Sequence, residues 1–113
     1  MSDQVQDEIP APRRDPLAEG DPAFMEQFDA LYIQHVWGDG AVPAKYKEWA
    51  GVALSIIGRC EPCLAYHLRM SVQAGMSKAE LVEAIRLGIM SGGSITIPTA
   101  RYAYSVMEEL LGR

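Results

Sequence analysis

From Pro22 onward, large apolar residues recur at three- and four-residue steps, broken only where glycine or proline intervenes. That period belongs to amphipathic helices packed on one another. Alternating runs are lacking, and the one β-branched cluster, Ile95-Thr96-Ile97, is too short to form a strand without a partner. Pro22, with Asp21 as N-cap, opens a first helix carrying Phe24, Phe28, Leu31, Tyr32 and His35. Gly38, Asp39 and Gly40 break it, and Pro43 opens a second helix to about Gly58, with Tyr46, Trp49, Ala50, Ala53, Leu54 and Ile57 on its apolar face. A third helix runs from about Glu61 to Ala74 and stops at Gly75. The capping box Ser77-Lys78-Ala79-Glu80 starts a fourth, with Leu81, Ala84, Ile85, Gly88 and Ile89 as its stripe and Gly92-Gly93 as its end. The last covers roughly Ile95 to Leu111, with Pro98 in its first turn, because deeper inside it would cost about 3 kcal/mol. The expected class is all-α, about five helices, without internal repeats.

With 113 residues, the chain has room for one domain. Residues 1–21 hold six acids against Arg13 and Arg14, three prolines and few large apolar groups, and read as a flexible acidic arm. Residues 22–113, with nine acids and eight bases, form the helical domain. The net charge of −5 argues against nucleic acid as a partner, since phosphate binding needs a basic surface. The longest mainly apolar stretch, Ala50 to Gly58, is far short of the roughly 20 residues a bilayer demands, so no membrane partner is expected. The N-terminus shows no secretory pattern, and the expected location is cytoplasmic. A domain this small buries a modest fraction of its surface, yet the second and fourth helices are apolar over much of their circumference. Helix faces are therefore expected to be covered by other copies of the chain.

Chemistry concentrates in Arg59-Cys60-Glu61-Pro62-Cys63-Leu64-Ala65-Tyr66-His67. Pro62 suits a first helical turn and so puts the C-x-x-C pair near a helix N-terminus, where free N–H groups and the macrodipole favour a thiolate. Cys63 and His67, at i and i+4, share a helix face, so the imidazole can take the thiol proton and return it to a leaving group. Cys60, one turn earlier, can resolve an intermediate as a disulfide. Glu48 lies on the preceding apolar helix; it either folds back over this N-terminus as a relay carboxylate or stays exposed beside Lys45 and Lys47. Leu64 after the second cysteine excludes c-type haem attachment, which needs His there. Spacing alone leaves three readings: a redox dithiol, inert cysteines, or zinc held by Cys60, Cys63 and His67 with His35 or Glu48 as a fourth ligand. His35 otherwise reads as a core or interface residue, and Trp37, Trp49, Tyr102 and Tyr104 read as packing.

Glu48, eleven intervening residues and then C-x-x-C-x-x-x-H resemble the signature of alkylhydroperoxidase D, within the carboxymuconolactone decarboxylase family. The resemblance spans roughly residues 40–112 and includes Ala74-Gly75-Met76-Ser77 and the helix from Glu80 to Ile89. It implies an all-helical, single-repeat fold in an obligate homo-oligomer, commonly a hexamer built from trimers or dimers. It also implies roles: Cys63 as the peroxide-attacking thiolate, Cys60 as the resolving thiol, Glu48 and His67 as the proton relay, with no bound cofactor and no catalytic metal. Pro62 departs from the best-known pattern, which has a relay histidine before the second cysteine. That change implies a shorter relay, from Glu48 through water to His67 and Cys63, or reduction of protein or lipoyl disulfides in place of strong peroxidase activity. The expected partners are a peroxide or disulfide substrate and an external dithiol reductant such as a lipoylated protein. The alternatives are a lactone decarboxylase-type lyase, which does not depend on the cysteine pair, and a zinc-binding or structural helical oligomer.

Overall fold

The computed structural model describes residues 14–113. Of the expected acidic arm, residues 1–13 lie outside the described residues. Within residues 14–21, a single exposed helical turn, α1 (Pro16–Gly20), is capped by Asp15, whose carboxylate accepts from the Ala18 amide. The helices that follow are α2 (Pro22–Ala30), continued by a π-helical turn at Leu31–Val36, then α3 (Ala44–Gly58), α4 (Glu61–Gln73) and α5 (Lys78–Gly92). A 3-10 turn at Ser94–Thr96 leads into α6 (Ile97–Leu111), with Pro98 in the first turn. Among the described residues there is no strand.

Punctuation explains these boundaries. Ser77 and Glu80 close a reciprocal capping box: Ser77 Oγ accepts from the Glu80 amide at 3.2 Å, and Glu80 Oε1 accepts from the Ser77 amide at 2.8 Å. Those hydrogen bonds hold the Glu80 carboxyl below its ordinary range. The other end of the site-bearing hairpin is less ordinary. Arg59 ends α3 in the left-handed region at φ 53°, a conformation that costs a side-chain-bearing residue energy. It lets the Cys60 amide reach back to the Ser55 carbonyl at 3.1 Å and reverses the chain into α4.

α3 packs against both α4 and α5, and α6 closes over α4 and α5. The core follows the helical period: Val52 and Ile56 from α3, Leu64 and Leu68 from α4, Leu81 and Ile85 from α5, Val106 and Met107 from α6. Each such large side chain, fully buried, contributes about 1.5–3 kcal/mol. The α3–α5 crossing is tight because Gly88 lies against Ile56: a Cβ there would sit 2.6 Å from Ile56 Cβ and 2.9 Å from the Ala53 carbonyl oxygen. Gly88→Ala is therefore expected to cost about 1–3 kcal/mol, measurable as a fall in thermal midpoint of about 4–8 °C for each kcal/mol. No change in the redox state of the cysteines should accompany it.

Much apolar surface stays open. α2 and the π-turn contain no buried residue, and Phe24, Phe28, Leu31, Ile33 and Val36 are all exposed. Leu54, Leu87, Met90 and Ile95 are exposed too, Met90 by 83%. His35 is also exposed within this chain, not a core residue. Among the described residues, no helix is long and apolar enough to cross a membrane.

Candidate active site

The turn at Arg59 delivers Cys60 to the N-cap of α4 and Cys63 to its first turn. The two are joined by a disulfide, with their Cα atoms 5.3 Å apart. Cys63 is exposed and Cys60 half-buried. The Cys63 amide, one of the free donors of the helix start, donates to Cys60 Sγ at 3.3 Å. Cys63 is thus the more exposed residue of the pair, and Cys60 is the one whose sulfur accepts from the backbone. Thiol attack on Cys63 would expel Cys60 as a thiolate already provided with a hydrogen-bond donor.

One turn further along α4, His67 is buried, with 4% of its surface exposed. Its Nδ1 lies 2.6 Å from Glu48 Oε1, and Glu48 is itself only 7% exposed. Of the two placements open to Glu48, the structure has the buried one: α3 folds back along α4 and lays the carboxylate on the histidine. Burying a carboxylate costs several kcal/mol unless a partner meets it, and His67 is that partner. An ionised carboxylate only accepts, so Nδ1 carries the proton and Nε2 is left as the basic nitrogen. Among the described residues, no hydrogen bond joins His67 to either sulfur while the disulfide is closed.

The surroundings of His67 were not legible in the motif. Trp37 stacks on its ring with centroids 4.5 Å apart, and Tyr66 meets it edge-on at 5.2 Å. Trp37 is thus packing, as expected, but packing on the candidate base. Tyr32 stacks on Trp37 at 5.3 Å. Its phenol is held above the usual value, first by burial, then by the nearby Glu48 charge and Tyr66. Gly51, one turn after Glu48 on α3, is pressed against the imidazole: a Cβ there would lie 2.7 Å from His67 Cγ and 2.8 Å from Nδ1. The only sequence signal for this was a glycine inside an otherwise apolar helix, on the same face as the acid.

The donors proposed for zinc are not gathered as a ligand set. Cys60 and Cys63 are bonded to each other, Glu48 occupies Nδ1 of His67, and His35 is exposed. Among the described residues, no group of three His, Cys, Asp or Glu side chains is arranged to hold a metal ion.

The family model for the carboxymuconolactone decarboxylase family matches residues 22–109. The chain belongs to that family. An uncharacterized protein of Cupriavidus necator is 30% identical over 87 residues, covering 77% of this chain and 74% of its own. Among solved structures, the Thermotoga maritima protein TM1620 is 36% identical, with a TM-score of 0.74 over 86% of this chain and 90% of that one. A second crystal structure of TM1620 gives a TM-score of 0.68 and describes a family member with a suggested part in an antioxidative response. An apo family protein from Legionella pneumophila is 27% identical, with a TM-score of 0.74 over 86% of this chain and 85% of that one. The all-α fold and the alkylhydroperoxidase D-like resemblance accord with these neighbours.

Proposed function

We propose that this chain is a dithiol oxidoreductase of the alkylhydroperoxidase D-like type. The observation that carries the reading is the Cys60–Cys63 bridge at the start of α4, one turn from the buried Glu48–His67 pair. The suggested antioxidative role of the T. maritima relative supports it.

In the reduced protein, His67 Nε2 takes the Cys63 proton directly or through a water, and Glu48 balances the charge on the resulting imidazolium. The Cys63 thiolate attacks the outer oxygen of a hydroperoxide; the O–O bond breaks, the alkoxide takes a proton from His67 and leaves as the alcohol. Cys63 is then a sulfenic acid. Cys60 attacks it, water leaves, and the disulfide closes. An external dithiol, such as a lipoylated protein, restores the pair: its thiolate attacks exposed Cys63, Cys60 departs as thiolate, and the second thiol of the donor releases Cys63 as the donor becomes a disulfide. Run in reverse, the same exchange reduces a partner disulfide. With Pro62 in place of a relay histidine, the relay in this reading runs through His67, which favours the exchange reactions over rapid peroxide turnover.

The exposed apolar faces of α2, α3 and α5 are covered, in this reading, by further copies of the chain in a hexamer or trimer, in the cytoplasm. The test is consumption of cumene hydroperoxide, or reduction of lipoamide disulfide, by the reduced protein before and after both cysteines are alkylated. Alkylation is expected to remove all turnover. Turnover of a lactone acid that survives alkylation would favour a decarboxylase-type lyase instead.

A further inference from the structure

The π-helical turn at Leu31–Val36 lies directly before the residue that covers His67. Such turns are uncommon and concentrate at functional sites, where one extra residue per turn re-aims the side chain that follows. Here that side chain is Trp37. Its amide donates to the Tyr32 carbonyl at 2.8 Å and closes the wide turn. The next residue, Gly38, is tied down from α3 by Lys47, whose Nζ donates to the Gly38 carbonyl at 2.7 Å. Asp39 then accepts from the Ala44 amide at 2.7 Å. Lys47 immediately precedes Glu48. The turn of α3 that offers the carboxylate to His67 therefore also anchors the loop that lays an indole on the same ring.

α2 and the π-turn bury none of their own residues, so their ordering in the chain is not explained by core packing. What the segment gives the core is Trp37 over a ring that Gly51 already crowds. We propose that Trp37 is a positioning residue for the Glu48–His67 pair. Its indole holds the imidazole in the orientation that keeps Nδ1–H on Glu48 and leaves Nε2 as the free base. The consequence for turnover rests on the dithiol reading above; the clamping of the ring does not.

The test uses the full chain carrying His35→Gln, so that His67 is the only imidazole, labelled with nitrogen-15 and observed by NMR at alkaline pH. Trp37→Leu removes the aromatic face, and Trp37→Phe keeps one. The parent and Trp37→Phe are expected to show two well-separated ring nitrogens, as a single Nδ1–H tautomer requires. Trp37→Leu should show them drawn together by exchange between tautomers. In parallel, single-turnover closure of the disulfide by cumene hydroperoxide should slow about tenfold or more in Trp37→Leu and much less in Trp37→Phe. Separated parent-like nitrogens in a folded Trp37→Leu protein would overturn the proposal, whatever its turnover. Equal slowing of both variants would overturn it too, because a lost aromatic face would then not be the cause. If Trp37→Leu does not fold, Trp37→Met takes its place. If the parent never closes its disulfide, the dithiol reading fails, and the nitrogen spectra still decide the role of Trp37.

Discussion

Cys63→Ser is expected to bring hydroperoxide and disulfide turnover to the level of buffer, whereas Cys60→Ser should complete one oxidation and stop. The two outcomes differ because the sulfurs differ in place. Cys63 is the more exposed residue, and in the proposed mechanism it meets the substrate; a serine hydroxyl there is no nucleophile toward an O–O or S–S bond at neutral pH. Cys60 is half-buried at the N-cap, where it accepts from the Cys63 amide. Without it, Cys63 still attacks, but its sulfenic acid has no neighbour with which to condense and can be trapped by a sulfenate-selective reagent. Trapping of one sulfenate per chain in Cys60→Ser and none in Cys63→Ser is the expected pattern. The opposite pattern would reverse the two roles.

Gly51→Ala should be nearly as damaging, although position 51 carries no functional group. A methyl there would penetrate the His67 ring at 2.7–2.8 Å. The ring has little freedom to retreat, because Trp37 lies on it and Glu48 holds Nδ1. Overpacking of this kind costs about 1–3 kcal/mol. The larger effect falls on the relay. If the imidazole shifts, the 2.6 Å contact with Glu48 is lost and a buried carboxylate is left without its partner, at a further cost of about 3–5 kcal/mol. Turnover should fall by about a hundredfold, as expected for a base misplaced by about 1 Å. Both effects can be read from one preparation by a thermal melt and a stopped-flow trace. A variant that melts like the parent and turns over within twofold of it would show that His67 is not held where the geometry implies.

Helix order and boundaries were legible because they depend on local chemistry. Pro22, Pro43, the Ser77–Glu80 box and Pro98 act on their own neighbours, and each marks a helix start within a residue or two of the observed one. The placement of Cys60 and Cys63 at the start of α4, with His67 one turn further on, was legible for the same reason, since Pro62 and the three- and four-residue steps act locally. Glu48 was only half legible: its spacing from Cys60 fits the family signature, but whether it is buried depends on how α3 lies along α4, a tertiary fact. That Trp37 packs was legible, but that it packs on His67 was not, because a π-turn precedes it. One extra residue per turn breaks the 3.6-residue count from which faces are read, and nothing local in Leu31–Val36 announces it. Gly51 showed only as a missing side chain; what fills the space is His67, on the next helix. The short helix α1 leaves no mark in the sequence, because a single exposed turn has no hydrophobic periodicity.

Whether the two cysteines form a redox dithiol is decided by intact-mass spectrometry of the reduced protein before and after one equivalent of an organic hydroperoxide, with metal content determined on the same sample. Loss of two hydrogens is expected in metal-free protein, mapped by peptide analysis to a bridge between Cys60 and Cys63. An unchanged mass after both hydroperoxide and lipoamide disulfide, or stoichiometric zinc bound through the two thiols, would contradict it.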